Sequence, residues 1–207
     1  LDVQRPEIIE KTGEIVWWSE RDGWGHLYLL DKNGKLKNQI TRGEYFVSGI
    51  EGINGRTIYF VANGREKNQD PYYNHLYSIN MDGGTPRLLN PGNFDHQVNT
   101  NDANTFFVNN YSRVNTVPAT DLYDMNGNKL MSLETADLSQ LFASGYKFPE
   151  PFTVKADDGI TDLYGVIYKP FDFDSTKVYP LIQYVYPGPQ TEAVNSSFST
   201  SMDRVDR

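Results

Sequence analysis

The stretch "HLYLLDKNGK" (residues 26–35) recurs as "HLYSINMDGG" (75–84) and, more loosely, as "TDLYDMNGNK" (120–129). Aligned on the tyrosines, Tyr28, Tyr77 and Tyr123, the copies are spaced 49 and 46 residues apart. An aromatic segment precedes each copy: "EIVWWSE", "TIYFVAN" and "NTFFVNN". The first two copies are followed by a basic-polar segment, "LKNQIT" and "TPRLLN", and the third by "LMSLE". The alternation of apolar and polar residues is that of half-buried strands. Asn33-Gly34, Asp82-Gly83 and Asn126-Gly127 are expected to supply the positive φ angles of tight hairpin turns.

Each unit therefore reads as an apolar–aromatic strand, a polar loop, a second strand, a hairpin and a returning strand. A fourth strand, such as "YFVSGIEGI" (45–53), crosses to the next unit. Four antiparallel strands at a period in the forties mark a β-propeller blade; a β-sandwich with chance hairpin similarity is the competing reading. Two to three blades do not close a ring of at least four, so further blades are expected upstream.

The rhythm changes after about residue 133. "SLETADLSQLFASGYKF" reads as a short linker helix over 134–148, with Leu138, Leu141 and Phe142 on one face and Gly145 at its C-terminal cap. From 149 to 207 no repeat continues. Strands are expected at "FTVKA", "DLYGVIYKP" and "YPLIQYVY", separated by Asp157-Asp158-Gly159 and the polar loop "FDFDSTK". This is the start of a second domain, and its tail, "TEAVNSSFSTSMDRVDR", reads as loop. The expected division is 1–133, 134–148 and 149–207. The fold class is mainly β, a partial propeller leading into a second sheet.

Composition narrows the function. Hydrophobic residues make up 38% of the 207 and aromatics 14%, enough for a packed core. Net charge is −8, with no Arg-rich stripe, so nucleic-acid binding is disfavoured. The absence of cysteine removes thiol nucleophiles, disulfides and Cys-based zinc sites. No apolar run reaches the length of a membrane span. The first ten residues, "LDVQRPEIIE", show no signal-peptide pattern and no initiating Met, which suits a chain whose true N-terminus lies elsewhere.

The order of elements, with "VWWSERDGWGHLYLLD", "ITRGEYFVSGIEGI" and "GVIYKPFDFDSTKVYPLIQYVYPGP", resembles the prolyl oligopeptidase family of serine peptidases, and within it the dipeptidyl peptidase IV branch. The colinear set spans about residues 14 to 190. The resemblance implies an α/β-hydrolase domain after the propeller. It also implies release of N-terminal dipeptides with Pro or Ala second from peptide substrates, without a cofactor. A homodimer of the full-length protein and a periplasmic or cell-surface location in a bacterium belong to the same expectation. The Tyr of the "V-Y-x-G-P" segment, Tyr186 here, would donate a hydrogen bond to the oxyanion; a neutral phenol suits that role. A partly buried structural anchor is the alternative for Tyr186. Tyr184 falls on the opposite face of the expected strand and reads as core.

The departures from the family are as informative. G-x-S-x-G, the turn that lifts a serine nucleophile above the sheet, is absent. The serines of "NSSFSTS" have no such glycine spacing. His26, His75 and His96 lie in the blades and read as strand residues rather than as a catalytic base, so no Ser–His–Asp set is present. Nor does an acidic pair stand in for the one that holds the substrate amine in the family. "ERDG" (20–23) reads as a turn. The alternatives are an inactive propeller scaffold, or an acylaminoacyl peptidase or oligopeptidase of the same family. Trp17 and Trp18 point to opposite sides of one strand. "DMNGN" (124–128) and "DDGITD" (157–162) lack the full calcium-loop spacing and read as solvated turns. Asn110-Tyr111-Ser112 and Asn195-Ser196-Ser197 match the glycosylation sequon.

Overall fold

A computed structural model of the chain describes residues 5–185 and 194–199. Two compact units are present. One holds three four-stranded sheets; the other gathers residues 112–119 with the described residues from 135 onward.

The three sheets take their strands in chain order. The first contains β1 (Glu7–Ile8), β2 (Ile15–Ser19), β3 (His26–Leu30) and β4 (Leu36–Gln39). The second contains β5 (Phe46–Asn54), β6 (Thr57–Asn63), β7 (His75–Asn80) and β8 (Arg87–Leu88). The third contains β9 (Asp95–Thr100), β10 (Phe106–Ser112), β11 (Ala119–Asp124) and β12 (Lys129–Thr135). The "YFVSGIEGI" segment is thus the first strand of the sheet it enters.

Side-chain alternation explains why the sheets stack. Ile58, Phe60 and Ala62 of β6, with Tyr77 and Ile79 of β7, join Val16, Leu27, Leu29 and Ile40 of the first sheet in one buried cluster. Tyr59 and Leu76, on the opposite face, join Leu89, Phe107, Tyr123 and Met125 in another. The registers Phe60↔Tyr77 and Ile58↔Ile79 place each pair side by side, and the Phe60 and Tyr77 rings stack at 5.5 Å.

The hairpins differ from the expected geometry. Gly34, Gly83 and Gly127 have φ of 81°, 93° and 74°, but Asn33, Asp82 and Asn126 are not in the positive-φ region. Of each Asx-Gly pair only the glycine is left-handed, and its N–H bonds the carbonyl three residues back, so each is a type I turn; in the first and third, the Asp31 and Asp124 N–H groups also donate to Lys35 O and Asn128 O, closing a glycine bulge. The residue that starts the turn does the work assigned to the second Asx. Asp31 Oδ1 accepts the N–H groups of Asn33 and Lys35 at 2.8 and 2.9 Å. Asp124 Oδ1 accepts those of Asn126 and Asn128 at the same distances, and Asn80 Oδ1 accepts that of Asp82 at 2.9 Å. A Cβ on Gly127 would also sit 2.9 Å from the Leu89 carbonyl, so glycine is needed there for space as well.

These turns correct the alignment of the third copy. Met81 N–H donates to Arg56 O, and Met125 N–H to Thr105 O. Matched through the turns, Ile79 corresponds to Tyr123 and Tyr77 to Asp121. The glycine spacings are 49 and 44, so the third copy is two residues shorter than the tyrosine alignment implies. Other equivalences follow: Thr41 Oγ1 accepts the Leu27 N–H (2.9 Å) as Asn90 Oδ1 accepts the Leu76 N–H (2.8 Å).

In the second unit, α1 covers only Ser139–Ala143, shorter than the expected 134–148, because β12 runs to Thr135. Gly145, at φ 96°, ends it: Gly145 N–H donates to Phe142 O and Tyr146 N–H to Leu141 O, the paired bonds of a Schellman cap. Phe142, Tyr146, Phe148, Phe171 and Phe198 pack ring against ring at 5.4–6.4 Å. Strands β13 (Glu150–Lys155) and β14 (Asp162–Ile167) pair antiparallel, as "FTVKA" and "DLYGVIYKP" suggest.

The strand expected over "YPLIQYVY" is not formed in residues 179–185, which carry no regular structure. Leu181 and Ile182 are more than 80% exposed. A strand rich in apolar residues on both faces needs a hydrogen-bonding neighbour and cover on each face, and the two-stranded β13–β14 sheet does not supply them here.

The packing yields a stability test. Phe60→Ala is expected to lower the unfolding free energy by about 3–5 kcal/mol. Phe106→Ala, at a side chain 45% exposed on the same kind of strand, should cost less than about 1 kcal/mol. Urea titrations of the two variants make the comparison.

Candidate functional site

Tyr186, the expected oxyanion donor, lies outside the described residues, as does the Pro187-Gly188-Pro189 turn after it. Tyr184 is described, and it is 42% exposed rather than in a core. The reason is that of the missing strand: without a sheet neighbour, neither face of the segment is covered. Ser196 and Ser197 sit in irregular chain. Among the described residues of the second unit a depression lies near Phe148 and Lys169, but the Lys169 ammonium is already held by Glu150 at 2.6 Å and by the Phe173 ring at 5.1 Å.

The histidines are structural in position. His26 is fully buried between Thr41 Oγ1 (3.0 Å) and Gly43 O (2.9 Å), edge-on to Tyr45. His75 and His96 stand with ring centroids 4.8 Å apart where the second and third sheets meet. His75 Nε2 contacts Gln69 Oε1 at 2.9 Å, and His96 Nδ1 contacts Asn109 Oδ1 at 3.1 Å. Asn109 Oδ1 also accepts from Asn90 Nδ2 at 3.1 Å. This polar cluster was not foreseen. Its signal in the sequence is that Asn109 stands where the preceding unit has Phe60.

Carboxylates are likewise engaged. Glu14, buried between the first two sheets, is paired with Lys37 and with Arg56 (3.2 Å); the Lys37 and Thr12 hydrogen bonds hold its carboxyl below the ordinary range. Arg56 reaches on to Asp82 at 2.5 Å. Asp121 takes Lys129 at 2.7 Å. In "DMNGN" and "DDGITD", Asp124 and Asp158 accept backbone N–H groups of their own turns, which occupies the oxygens a cation would need. Of the two tryptophans, Trp18 donates to Val47 O at 2.8 Å and packs edge-on to Phe46, while Trp17 faces the other way and is 41% exposed.

No described set of residues combines a nucleophile, a base and an acid. What the described residues build is a blade stack, and comparison with known proteins agrees. The family model of the dipeptidyl peptidase IV (DPP IV) N-terminal region matches residues 3–118, more than half of the chain. The chain belongs to that family. Human dipeptidyl peptidase 8 is 28% identical over 236 aligned residues, covering 93% of this chain and 25% of the relative. Dipeptidyl peptidase 4 of Arthroderma otae is 24% identical over 189 residues, covering 87% and 24%. Among solved structures, Porphyromonas gingivalis dipeptidyl peptidase 4 superposes with a TM-score of 0.76 at 24% identity, over 94% of this chain and 27% of that one. A putative dipeptidyl aminopeptidase IV from Bacteroides ovatus gives 0.72 at 26%, over 90% and 29%. The chain thus spans about a quarter of the length of the relatives it matches.

The histidine cluster predicts a pH dependence. Burial, and then the neighbouring His75, push the His96 imidazole down to about 4; burial also lowers His75. The unfolded chain then binds more protons than the folded one between about pH 6.5 and 4, so stability is full above that window and falls as the pH drops through it. For His96 alone the loss is on the order of 3 kcal/mol. His96→Gln is expected to flatten the profile of unfolding free energy against pH; profiles parallel to the parent would contradict this assignment.

Proposed function

We propose that the parent protein is a serine exopeptidase that releases N-terminal dipeptides, with Pro or Ala second, from peptides. The observation that carries this reading is the DPP IV N-terminal family match over residues 3–118, which covers the first two sheets and the first two strands of the third. In this reading the three sheets are propeller blades, and the chain from 149 begins an α/β-hydrolase domain whose nucleophile, base and acid lie outside residues 1–207. In this reading the hydrolase domain performs the acyl transfer. A homodimer and a periplasmic or cell-surface location are parts of the proposal, open to sedimentation and to fractionation of the source cells.

Tyr186 receives one role. Its neutral phenol donates to the oxygen that gains charge as the acyl carbonyl becomes tetrahedral, alongside a backbone N–H elsewhere in the hydrolase domain. Both donors act in the transition state more than in the bound substrate, which is what raises kcat.

Two measurements test the proposal. The 207-residue chain alone is expected to give no hydrolysis of a Gly-Pro or Ala-Pro chromogenic substrate above background, since an oxyanion donor without a nucleophile has nothing to stabilise. The full-length protein is expected to turn the same substrates over. Its inertness would favour a propeller scaffold, and cleavage confined to acylated or internal bonds would favour the related peptidases. In the active full-length protein, Tyr186→Phe should lower kcat and kcat/KM together by about 10²–10³ with KM nearly unchanged. A normal kcat with a lowered Tm would instead make Tyr186 an anchor.

A further inference from the structure

The chain has four Asn-Gly pairs, at 33–34, 54–55, 63–64 and 126–127. Such pairs are chemically exposed. Glycine has no Cβ to block its amide nitrogen from the carboxamide carbon of the preceding side chain, and its backbone turns freely toward it. Whether the attack occurs in a folded chain depends on two things: whether that nitrogen is already bound through its N–H, and whether the backbone can move.

The structure separates the four pairs, each of the other three being held on one count or the other. In two of the repeat hairpins the glycine N–H is taken: Gly34 donates to Asp31 O at 2.9 Å, and Gly127 to Asp124 O at 3.0 Å. The Asp31 and Asp124 carboxylates also bind the N–H groups on either side of each glycine, pinning the turn. Asn63 is half-buried at the end of the central strand β6, opposite Phe46, and Gly64 lies 3.7–3.8 Å from Pro71 O and Tyr45 Cα at its Cβ position. Asn54 and Gly55 are held on neither count. Both are exposed at the tip of the β5–β6 hairpin, the space around Gly55 is open, and no backbone carbonyl of the described residues accepts its N–H.

We propose that Asn54-Gly55 is a site of spontaneous backbone modification in the native chain. The Gly55 nitrogen, having given its proton to a base in solvent, attacks Cγ of Asn54. The N–Cγ bond forms, the Cγ–Nδ2 bond breaks and the nitrogen leaves as ammonia with a proton from solvent. The product is a cyclic succinimide. Water then adds to either carbonyl and opens the ring, leaving at this position either an ordinary aspartate or its isoaspartyl isomer. Water is the co-reactant, and nothing is oxidised or reduced. The isoaspartyl product adds a methylene to the main chain where Asn54 pairs with Thr57 and closes the hairpin register. Both products place a carboxylate two residues before Arg56, whose guanidinium joins Glu14 to Asp82 between the first two sheets.

The test is peptide mapping by mass spectrometry of the folded chain incubated at mildly alkaline pH. The Asn54-Gly55 peptide is expected to convert about tenfold faster than the 33–34 and 126–127 peptides, a rate ratio equal to about 1.4 kcal/mol. In urea the four rates should converge. Asn54→Ser should abolish the fast conversion. Asp31→Ala removes the turn acceptor and should raise the Asn33 rate while leaving Asn54 unchanged, with circular dichroism reporting that the variant is folded. Equal rates in the folded chain, Asn33 or Asn126 converting first, or no conversion at Asn54 would each overturn the proposal.

Discussion

The middle sheet is apolar on both faces, and the rest of the blade region depends on that. A strand presents alternate side chains to opposite sides. The run "TIYFVAN" therefore sends Ile58, Phe60 and Ala62 one way and Tyr59 and Val61 the other. Neither set is satisfied unless a sheet lies against it. The polar rungs between sheets come after this demand. Asn38 Nδ2 donates to Met81 O at 3.0 Å and Arg87 Nη2 to Asn126 O at 2.5 Å, from equivalent donor positions of successive sheets to acceptors one residue apart in the turn. Such bonds orient surfaces that burial has already brought together; net, each contributes only about 1 kcal/mol.

The two seams are nonetheless not copies. Between the first and second sheets the deep layer is the stacked pair Phe60 and Tyr77, and the Tyr77 hydroxyl escapes to Glu66 at 2.9 Å. Between the second and third it is His75, His96, Asn90 and Asn109. An apolar layer tolerates small shifts in the approach of two sheets, whereas a layer of hydrogen bonds has one good arrangement and a high cost for any other. The family match ends at residue 118, within the third sheet.

How much was legible follows from where the physics is local. Three hairpins, the antiparallel pairing and the change of rhythm after residue 133 are written in alternation and glycine placement, and they could be read directly. The Asx next to glycine does not decide the turn type. The controlling acceptor is Asp31, Asn80 or Asp124, at the start of the turn. The register of the third copy is disguised because Tyr123 imitates Tyr77, although Asp124 and Gly127 fix it. The strand at "YPLIQYVY" depends on neighbours that local sequence does not contain, so its apolar pattern could not decide whether it forms. The histidine cluster joins His75, His96 and Asn109 from different strands and has no local signature at all. The site was legible only through resemblance, and Tyr186 rests on the segment that names it.

Between the second and third copies the chain shortened in a loop: eleven residues (64–74) join β6 to β7 and six (113–118) join β10 to β11, while β7 and β11 are both six residues long. The strand kept its length and its two-residue period. Tyr123 still faces the preceding sheet, as Tyr77 does, though it occupies the place of Ile79. A loss of one residue inside the strand would have turned every side chain beyond it to the wrong side. Blade strands of this kind therefore hold their length, while the loops between them shorten or lengthen by odd and even steps alike. Divergent copies of one ancestral unit can keep a common architecture long after their most conspicuous residues have ceased to correspond.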